Sequence, residues 1–272
     1  MNSTPISPGC DGCPHLIRMG IKMDKWDYVV GLAGNPNTGK STVFNALTGL
    51  RQHTGNWPGK TVTRAEGGYQ YDGRRYKLVD LPGTYSLLTT SLDEEVARDF
   101  ILFGQPDVTV VVADANRLER NLNLILQMLE ITDRVVVCLN LMDEAQRHGL
   151  EIDHRRLARD LGVPVAPTAA HKREGIPELI RTIGEMATGK FVTKPYRING
   201  RDPALNRAVS ELAAQVEQAF PGLPNARWVA VRLLDGDERI MEAMQTRELG
   251  DLSRTAAPLS VHQRTMAEET AA

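Results

Sequence analysis

The chain has 272 residues, and its 32 Lys and Arg residues nearly balance 34 Asp and Glu residues, for a formal net charge of −2. This composition is typical of a globular chain with one large domain and a smaller one, and it provides no overall positive charge for binding nucleic acid. No stretch approaches the roughly 18 consecutive apolar residues of a membrane-spanning helix, and residues 1–12 lack the features of a secretory signal. We therefore expect a cytoplasmic protein that binds no nucleic acid.

Residues 1–26 are rich in small and polar side chains and show no sustained apolar period, which predicts a flexible N-terminal extension. They contain Cys10, Cys13 and His15 in the order Cys-x-x-Cys-Pro-His. Thiolates and an imidazole at this spacing suit Fe²⁺ or Zn²⁺. Three donors without a second cluster also fit a tail that binds no metal, and the sequence leaves both interpretations open.

From Trp26 onwards, short β-branched runs alternate with amphipathic stretches. The predicted strands are Tyr28–Ala33, Tyr76–Val79, Val108–Ala113, Val135–Leu139 and Val163–Ala166. The predicted helices of this part are Ser41–Leu47, Leu92–Phe103, Leu118–Ile131, Ile152–Leu161 and Ile176–Met186. Near-continuous apolar strands separated by crossover helices predict an α/β fold with a mostly parallel sheet covered on both faces.

The strand pattern stops after about Thr188, and only helical spacing follows. The predicted helices of this second part are Pro203–Phe220, Ala226–Leu234 and Glu238–Leu249. We therefore expect an α/β domain over residues 27–190, a small all-α domain over 191–262 and a frayed tail over 263–272.

Residues 34–41 (GNPNTGKS) match the pattern G-x-x-x-x-G-K-[ST], between a predicted strand and a predicted helix. Backbone N–H groups of such a loop turn around a β-phosphate at a helix N-terminus. Lys40 would bridge the β- and γ-phosphates, and the Ser41 hydroxyl would ligate Mg²⁺. Further nucleotide contacts are expected from Asn35, Asn37, Thr38, Gly39 and Thr42.

The residues Asp80-Leu81-Pro82-Gly83 follow the next predicted strand. Asp80 would hold Mg²⁺ through water, and Gly83 would offer its N–H to the γ-phosphate. Alone, this segment is a common turn. Placed after a phosphate loop, it is a second independent indication of a P-loop NTPase.

Asn140 and Asp143 stand at the end of another predicted strand, in the order Asn-Leu-Met-Asp. A carboxylate at Asp143 can accept both the N1–H and the 2-amine of guanine, whereas adenine offers neither donor and would leave a buried carboxylate unpaired. The sequence therefore favours GTP over ATP, with a surface helix cap as the alternative role of Asp143. Leu141 replaces the Lys of the usual N-K-x-D form, so we expect weaker packing over the base.

A last base-contacting loop is expected after the predicted strand Val163–Ala166. Thr168, Ala169 and Ala170 stand in place of the usual Ser-Ala-Lys type. We expect backbone amides to act there, with the Ala170 N–H donating to guanine O6.

Residues 55–62 (GNWPGKTV) resemble the first switch of the ferrous iron transport protein B family. Further matches, in the same order and spacing, lie at residues 34–37 (GNPN), 44–49 (FNALTG), 80–87 (DLPGTYSL), 91–94 (SLDE) and 119–122 (ERNL). The resemblance covers about residues 29–188. It implies a small G protein-like domain that binds GTP or GDP, with a helical domain that tunes nucleotide release, at the cytosolic face of the bacterial inner membrane. In the full protein a membrane portion carrying Fe²⁺ would follow, and we expect this chain to be the cytosolic part.

By position in this resemblance, Thr61 is the switch threonine whose hydroxyl joins Mg²⁺ and whose amide reaches the γ-phosphate, with Thr63 as its rival. Gly59 and Lys60 beside it are expected nucleotide contacts. Lys60 and Thr63 stand where the family usually has an apolar residue and a Glu, so the switch is charged differently. Thr84 stands where many small G proteins use Gln to orient the attacking water.

Without that Gln or an arginine finger, hydrolysis should be slow, roughly 10⁻⁴ to 10⁻² per second by analogy with unassisted GTPases. The expected catalytic residues are Lys40, Thr61, Gly83 and Asn37.

In the family, Asn37 with carbonyls near Gly55 and Trp57 resembles a site that binds K⁺ between the phosphates, where a cation would stabilise developing charge. Alternatively, Asn37 only braces the loop. The Trp57 side chain is either an interface anchor in an exposed switch or a residue packed on the G domain.

Two other functions share part of this pattern. An Era-like ribosome-assembly GTPase has the same phosphate loop and Asn-x-x-Asp motif, but usually adds an RNA-binding domain with a basic face, whereas residues 203–249 mix acidic and basic side chains. A module that binds nucleotide without turnover would not need Ser41, Thr61 and Asp80. The sequence leaves open whether the chain forms a homo-oligomer.

Overall fold

Seven strands form one sheet in a computed structural model, which describes residues 14–250 except 24, 51, 89–90, 199–201, 224 and 247. The strands are β1 (Tyr28–Gly34), β2 (Gln52–Asn56), β3 (Thr63–Tyr71), β4 (Arg74–Asp80), β5 (Val108–Asp114), β6 (Val135–Asn140) and β7 (Val165–Pro167). Their spatial order is β2-β3-β4-β1-β5-β6-β7. Strands β4, β1, β5, β6 and β7 are parallel, whereas β3 is antiparallel to both of its neighbours. The predicted mostly parallel sheet is thus confirmed.

Helices cover both faces of this sheet, as the near-continuous apolar strands require. They are α1 (Pro14–Arg18), α2 (Lys40–Thr48), α3 (Leu92–Gly104), α4 (Leu118–Ile131), α5 (Met142–Arg147), α6 (His154–Leu161) and α7 (Ile176–Ala187). One core cluster joins strand residues such as Leu32 and Val110 to Phe44 of α2 and Leu179 of α7. Burial of each such large side chain contributes about 1.5–3 kcal/mol, which holds the helices against the strands.

We predicted no strand between residues 52 and 71, and this prediction is wrong. Strands β2 and β3 lie there. All five residues of β2 are exposed, and β3 contains two adjacent glycines, Gly67 and Gly68. Neither strand shows the alternation or the apolar run that marks a strand in the sequence. Pairing of β3 with β4 over seven residues forms the antiparallel edge instead. The short helix α5 was not predicted either, and β7 is shifted two residues towards the C-terminus relative to its predicted start.

Described residues from Asp202 onwards form a second compact unit, separated from the first after Ile198. It contains α8 (Pro203–Ala219), α9 (Ala226–Leu234) and α10 (Glu238–Gln245). The Asp202 side chain accepts from the Ala204 N–H at 2.8 Å and caps α8. Val216 of α8, Val229 of α9 and Ile240 of α10 are buried. The predicted helical segment is confirmed, although α10 ends at Gln245.

Described residues before β1 pack against the sheet and α3, and the expected flexibility of residues 1–26 stays a prediction. Helix α1 occupies Pro14–Arg18, and Leu16 and Ile21 are 4% and 0% exposed. The Trp26 ring lies over β3, where a Cβ added to Gly68 would be 2.1 Å from it. Apolar side chains spaced too irregularly for a helical pattern therefore still reach the core. Within the described ranges, no helix combines the length and apolar character needed to cross a bilayer.

Candidate nucleotide-binding site

Four parallel strands end at one edge of the sheet, and each leads into one of the predicted motifs. Strand β1 leads into the phosphate loop, β4 ends at Asp80, β6 ends at Asn140, and Thr168 follows β7. The carboxyl ends of parallel strands are the general position of ligand sites in open α/β sheets. The fold therefore brings together motifs that are far apart in the sequence.

The phosphate loop has the left-handed backbone that its glycine pattern predicts. Gly39 has φ 78° and directly precedes α2, and Asn37 has φ 65°. The Thr38 hydroxyl donates to the Asn35 carbonyl at 2.9 Å and braces the loop from inside. Asn37, Ser41 and Thr42 are exposed. The start of α2 thus offers free amides, hydroxyls and the positive end of a helix dipole to an anion.

The Asn35 side chain is 3% exposed, and both of its amide atoms lack hydrogen-bond partners within the described structure. An unsatisfied buried amide costs about 1–3 kcal/mol. Such a group is a reason to expect a polar ligand or ordered water beside the loop. The loop therefore fits a phosphate ligand by its backbone and by this orphaned amide.

Lys40 and Asp80 form an ion pair across the site, with side chains 12% and 20% exposed. Burial raises the pKa of the Asp80 carboxyl, and the adjacent Lys40 ammonium opposes that rise. Hydroxyl and carboxylate oxygens, as in Ser41 and Asp80, are donors that Mg²⁺ prefers. The structure thus brings Lys40 and Asp80 together, and Ser41, the residue after Lys40, is exposed.

The segment after Asp80 runs along the phosphate loop. The Leu81 N–H donates to the Leu32 carbonyl at 2.9 Å, and the Thr84 N–H donates to the Gly34 carbonyl at 3.2 Å. Gly83 lies beside Pro36 of the loop, since a Cβ on Gly83 would be 3.5 Å from the Pro36 ring. The Thr84 hydroxyl donates to the Ser86 carbonyl, and Thr84 is 3% exposed. Thr84 is therefore committed within the protein and is not free to orient a water molecule.

Asn140 joins the phosphate loop to the base loops. Its Nδ2 donates to the Thr38 carbonyl at 3.0 Å, and its Oδ1 accepts from the Thr168 hydroxyl at 3.1 Å and from the Ala170 N–H at 3.0 Å. The residue is 1% exposed. Its role is thus to connect three segments of the site.

The Ala170 N–H is bonded to Asn140, and the Ala169 N–H donates to the Glu174 carbonyl at 3.1 Å. The predicted contact of the Ala170 N–H with guanine O6 would therefore need this hydrogen bond to Asn140 to be exchanged for one to the base. Sequence spacing could not reveal this, since the two residues meet only through the pairing of β6 with β7.

Asp143 lies inside α5, whose N-cap is Leu141, so it is not the helix cap of the alternative interpretation. Its side chain is 9% exposed, with Lys172 Nζ at 2.8 Å and His171 Nε2 at 3.3 Å from Oδ2. The Lys172 ammonium lowers the pKa of the Asp143 carboxyl, so the carboxyl stays ionised. From the sequence we expected His171, the next residue of the base loop, to be a solvated surface residue, and nothing in the sequence indicated Lys172.

A cavity of about 300 Å³ lies beside Asp143. Its lining includes Met142, Thr168, Ala169 and Gly175. A carboxylate and a backbone-rich loop at one cavity are the groups that recognition of a purine edge needs. Thr168 and Ala169 line this cavity with Asp143, whereas its lining includes neither Asn140 nor a phosphate-loop residue, and their contact with the base stays a prediction.

The first switch forms the tip of the β2–β3 hairpin. The Lys60 N–H donates to the Trp57 carbonyl at 3.0 Å around a turn in which Gly59 has φ 69°. Lys60 Nζ lies 2.8 Å from Glu95 Oε1 of α3. Thr61 is exposed at this tip. Among the described residues, no hydrogen bond joins Thr61 to Ser41 or Asp80.

Trp57 is packed on the domain and is not an exposed anchor. It is 5% exposed, its ring meets Phe100 edge-on at 5.5 Å, and the Arg64 guanidinium lies 5.2 Å from the ring centroid. Gly55 is paired with Arg64 in the hairpin. The Trp57 carbonyl accepts from the Lys60 N–H and keeps a second lone pair, and Asn37 is exposed, so the K⁺ ligand set stays a prediction.

Cys10, Cys13 and the side chain of His15 lie outside the described residues. In the part of the chain that the structure does describe, no three His, Cys, Asp or Glu side chains are arranged to hold a metal ion. Cys138 is buried in β6, and burial raises its pKa to about 12. It is therefore a core residue.

Replacing Gly39 with Ala tests the junction between the phosphate loop and Asn140. A Cβ at Gly39 would be 2.4 Å from Asn140 Nδ2, whereas a Cβ at Gly49, with a similar positive φ, would meet nothing within 4 Å. Left-handed strain should cost about 1–2 kcal/mol in either variant. Gly39→Ala should lose about 1–3 kcal/mol more in denaturant unfolding, because the Asn140 hydrogen bonds are displaced. Equal losses in the two variants would contradict the assigned junction.

A family model described as "Ferrous iron transport protein B" matches residues 28–183, and one described as "FeoB cytosolic helical domain" matches residues 202–270. The Fe(2+) transporter FeoB of Shigella flexneri is 42% identical over 212 residues, which are 76% of this chain and 27% of that protein. Its counterpart from Salmonella typhimurium is similar to the same extent. The chain thus spans 27% of the length of these curated relatives.

Solved structures of cytosolic FeoB parts are similar in fold. The apo cytosolic domain of T. maritima FeoB has a TM-score of 0.70 at 37% identity, covering 82% of this chain and 86% of that one. A mutant of S. thermophilus NFeoB bound to GDP has a TM-score of 0.72 at 33% identity, covering 84% of this chain and 88% of that one.

Proposed function

Because this chain belongs to the ferrous iron transport protein B family, we propose that it binds GTP and GDP and hydrolyses GTP slowly as the regulatory part of an Fe²⁺ transporter. The observation that carries the proposal is the Asn140 junction, which holds the phosphate loop and the base loop at a fixed separation. The GDP-bound relative supports a guanine nucleotide as the ligand. Membership of this family argues against the ribosome-assembly alternative.

The roles of the chain's own residues follow from their chemistry. The phosphate-loop amides and Lys40 bind the β- and γ-phosphates, and Asp143 accepts the two donors of the guanine edge. Ser41, Asp80 and, after rearrangement of the hairpin tip, Thr61 would hold Mg²⁺. When bound, this ion neutralises charge on the phosphate oxygens. Gly83 contributes a backbone N–H beside the phosphate loop.

Slow turnover is expected because Thr84 stands where many small G proteins have the Gln that orients the attacking water. The Thr84 hydroxyl is bonded to the Ser86 carbonyl. A rate of roughly 10⁻⁴ to 10⁻² per second follows by analogy with unassisted GTPases. With such a rate, hydrolysis would set the lifetime of the GTP-bound state of a regulatory switch.

Equilibrium titration with fluorescent GTP, GDP and ATP, followed by phosphate release under single-turnover conditions, tests the proposed function. Guanine nucleotides should bind at least about tenfold more tightly than ATP, because adenine leaves the Asp143 carboxylate unpaired. Equal binding of ATP and GTP would refute the guanine assignment. GTP binding without any phosphate release would leave only a binding module.

Turnover should depend on K⁺. Asn37 and the carbonyls of Gly55 and Trp57 offer oxygen donors of the kind that suit K⁺, and a cation there would add positive charge near the reacting phosphates. We expect turnover in K⁺ to exceed that in Na⁺ at equal ionic strength by about tenfold. Asn37→Ala should bind GTP but turn over equally in both salts. Equal rates of the unaltered protein in the two salts would contradict the proposal.

The remaining parts of the proposed function concern the full-length protein. A membrane portion would follow this chain at the cytosolic face, and the helical unit from Asp202 onwards would tune nucleotide release. Whether copies of the chain associate is tested by light scattering with and without nucleotide.

A further inference from the structure

The matched family model begins at residue 28, yet the residues before it are firmly packed. We call residues 16–27, without the undescribed residue 24, the N-terminal strap. Its Ile21 side chain is fully buried and its Leu16 side chain is 4% exposed. The Met19 sulfur lies near the end of α3, where a Cβ on Gly104 would be 3.2 Å from it. Apolar burial therefore anchors the strap at several points.

Two cations of the sheet also hold the strap by its backbone. Arg64 Nη1 donates to the Met19 carbonyl at 2.6 Å, and Nη2 donates to the Gly20 carbonyl at 3.1 Å. Lys77 Nζ donates to the Lys22 carbonyl at 2.8 Å. Hydrogen bonds from charged donors are the stronger kind. The Arg64 guanidinium donates to two successive carbonyls of the strap, and this pair of hydrogen bonds fixes the position of the strap over β3.

The same arginine is in contact with the first switch. The Arg64 guanidinium lies over the Trp57 ring, and Phe100 of α3 contacts that ring edge-on. The strap also touches the turn directly, since a Cβ on Gly20 would be 3.2 Å from the Pro58 ring. The strap, Arg64 and the buried Trp57 thus form one packed unit at the hairpin tip.

In this packed unit, Thr61 is exposed and Lys60 is paired with Glu95. The proposed GTP-bound state instead needs Thr61 beside the phosphates. We propose that the N-terminal strap is an intramolecular brake on the first switch, which it holds through Arg64 and Trp57 in the conformation seen here. This inference rests on the proposed GTPase function and adds a regulatory segment to it.

The brake should discriminate between the two nucleotides. GDP has no γ-phosphate for Thr61 to contact, so the hairpin tip can keep its packed position. Binding of GTP requires the tip to leave that position, so that Thr61 reaches the γ-phosphate. A contact that is made in only one of two states shifts the equilibrium between them towards that state. Releasing the strap should therefore raise the affinity for GTP relative to that for GDP.

Ile21→Asp, compared with Ile17→Asp, tests the brake in the full chain. Ile21 is fully buried, whereas Ile17 of α1 is 57% exposed, so only the first variant should release the strap. Trypsin cleavage after Arg18 and Lys22 reports release. The ratio of affinities for a non-hydrolysable GTP analogue and GDP should rise at least about threefold in Ile21→Asp. It should stay unchanged in Ile17→Asp.

A second pair of variants tests the brake independently, in case Ile21→Asp does not fold. Gly20→Val would press on Arg64 and Pro58, whereas Gly189→Val has a similar φ, 71° against 73°, and meets nothing within 4 Å. Only Gly20→Val should reproduce the higher ratio. A released strap with an unchanged ratio would overturn the brake while leaving the GTPase proposal intact. Failure of the unaltered chain to bind either nucleotide would refute the proposed function itself.

Discussion

Replacing Lys40 with Ala is expected to lower single-turnover GTP hydrolysis by about 10²–10³-fold and to weaken GTP binding more than GDP binding. The Lys40 ammonium is the group paired with Asp80, and both side chains are largely buried. Without it, the Asp80 carboxylate would face the phosphates uncompensated, and repulsion would grow as charge shifts in the transition state. The charge on the γ-phosphate makes the loss larger for GTP.

Lys190→Ala is the control for the Lys40 variant, since Lys190 is exposed beyond the end of α7. Thermal unfolding is followed in parallel, because removing one partner of an ion pair can also affect folding. Hydrolysis by Lys40→Ala at more than a tenth of the original rate would refute the assignment of the whole phosphate site.

Replacing Asp143 with Asn is expected to weaken GTP binding at least about 10²-fold and to create affinity for XTP. Xanthine keeps the N1–H of guanine but has a carbonyl in place of the 2-amine. An Asn side chain can accept from N1–H and donate to that carbonyl, whereas it presents a donor to the amine of guanine. The gain of XTP binding separates a change of recognition from a loss of folding.

Glu144→Gln is the matched control, because Glu144 is the next residue of α5 and its side chain is 41% exposed. It should bind GTP as the unaltered chain does. Titration of each variant with GTP and XTP decides the matter. An Asp143→Asn variant that keeps its preference for GTP would show that Asp143 does not read the base, and that the Lys172 pair has a purely structural role.

The predicted part of the site depends on short contiguous segments. Residues 34–41 and 80–83 are recognisable because backbone geometry and phosphate chemistry demand particular residues at fixed local spacing. The parallel strands were predictable for a similar reason, since strands buried on both faces must be apolar throughout. The family resemblance rests on the same kind of local pattern, and the family models confirm it.

Other features of the site arise only from residues distant in the sequence. The Ala170 amide was expected at the base but bonds to Asn140, thirty residues earlier in the chain. Lys172 and His171 gain their importance from Asp143, which lies on a different element. No local pattern marks such pairs, because their proximity depends on how β6 and β7 align.

The fold class, the nucleotide motifs and the family could all be predicted from the amino-acid sequence, because each depends on residues that are neighbours along the chain. Three features became visible only in the folded chain: β2 and β3 form an antiparallel edge, Trp57 is buried, and Arg64 donates to carbonyls of the strap. The exposed edge strand and the strap carry little apolar periodicity, and carbonyls that accept from Arg64 and Lys77 belong to any residue type. Backbone hydrogen bonds and packing against residues distant in the sequence stabilise these parts, and neither requires a recognisable local sequence pattern.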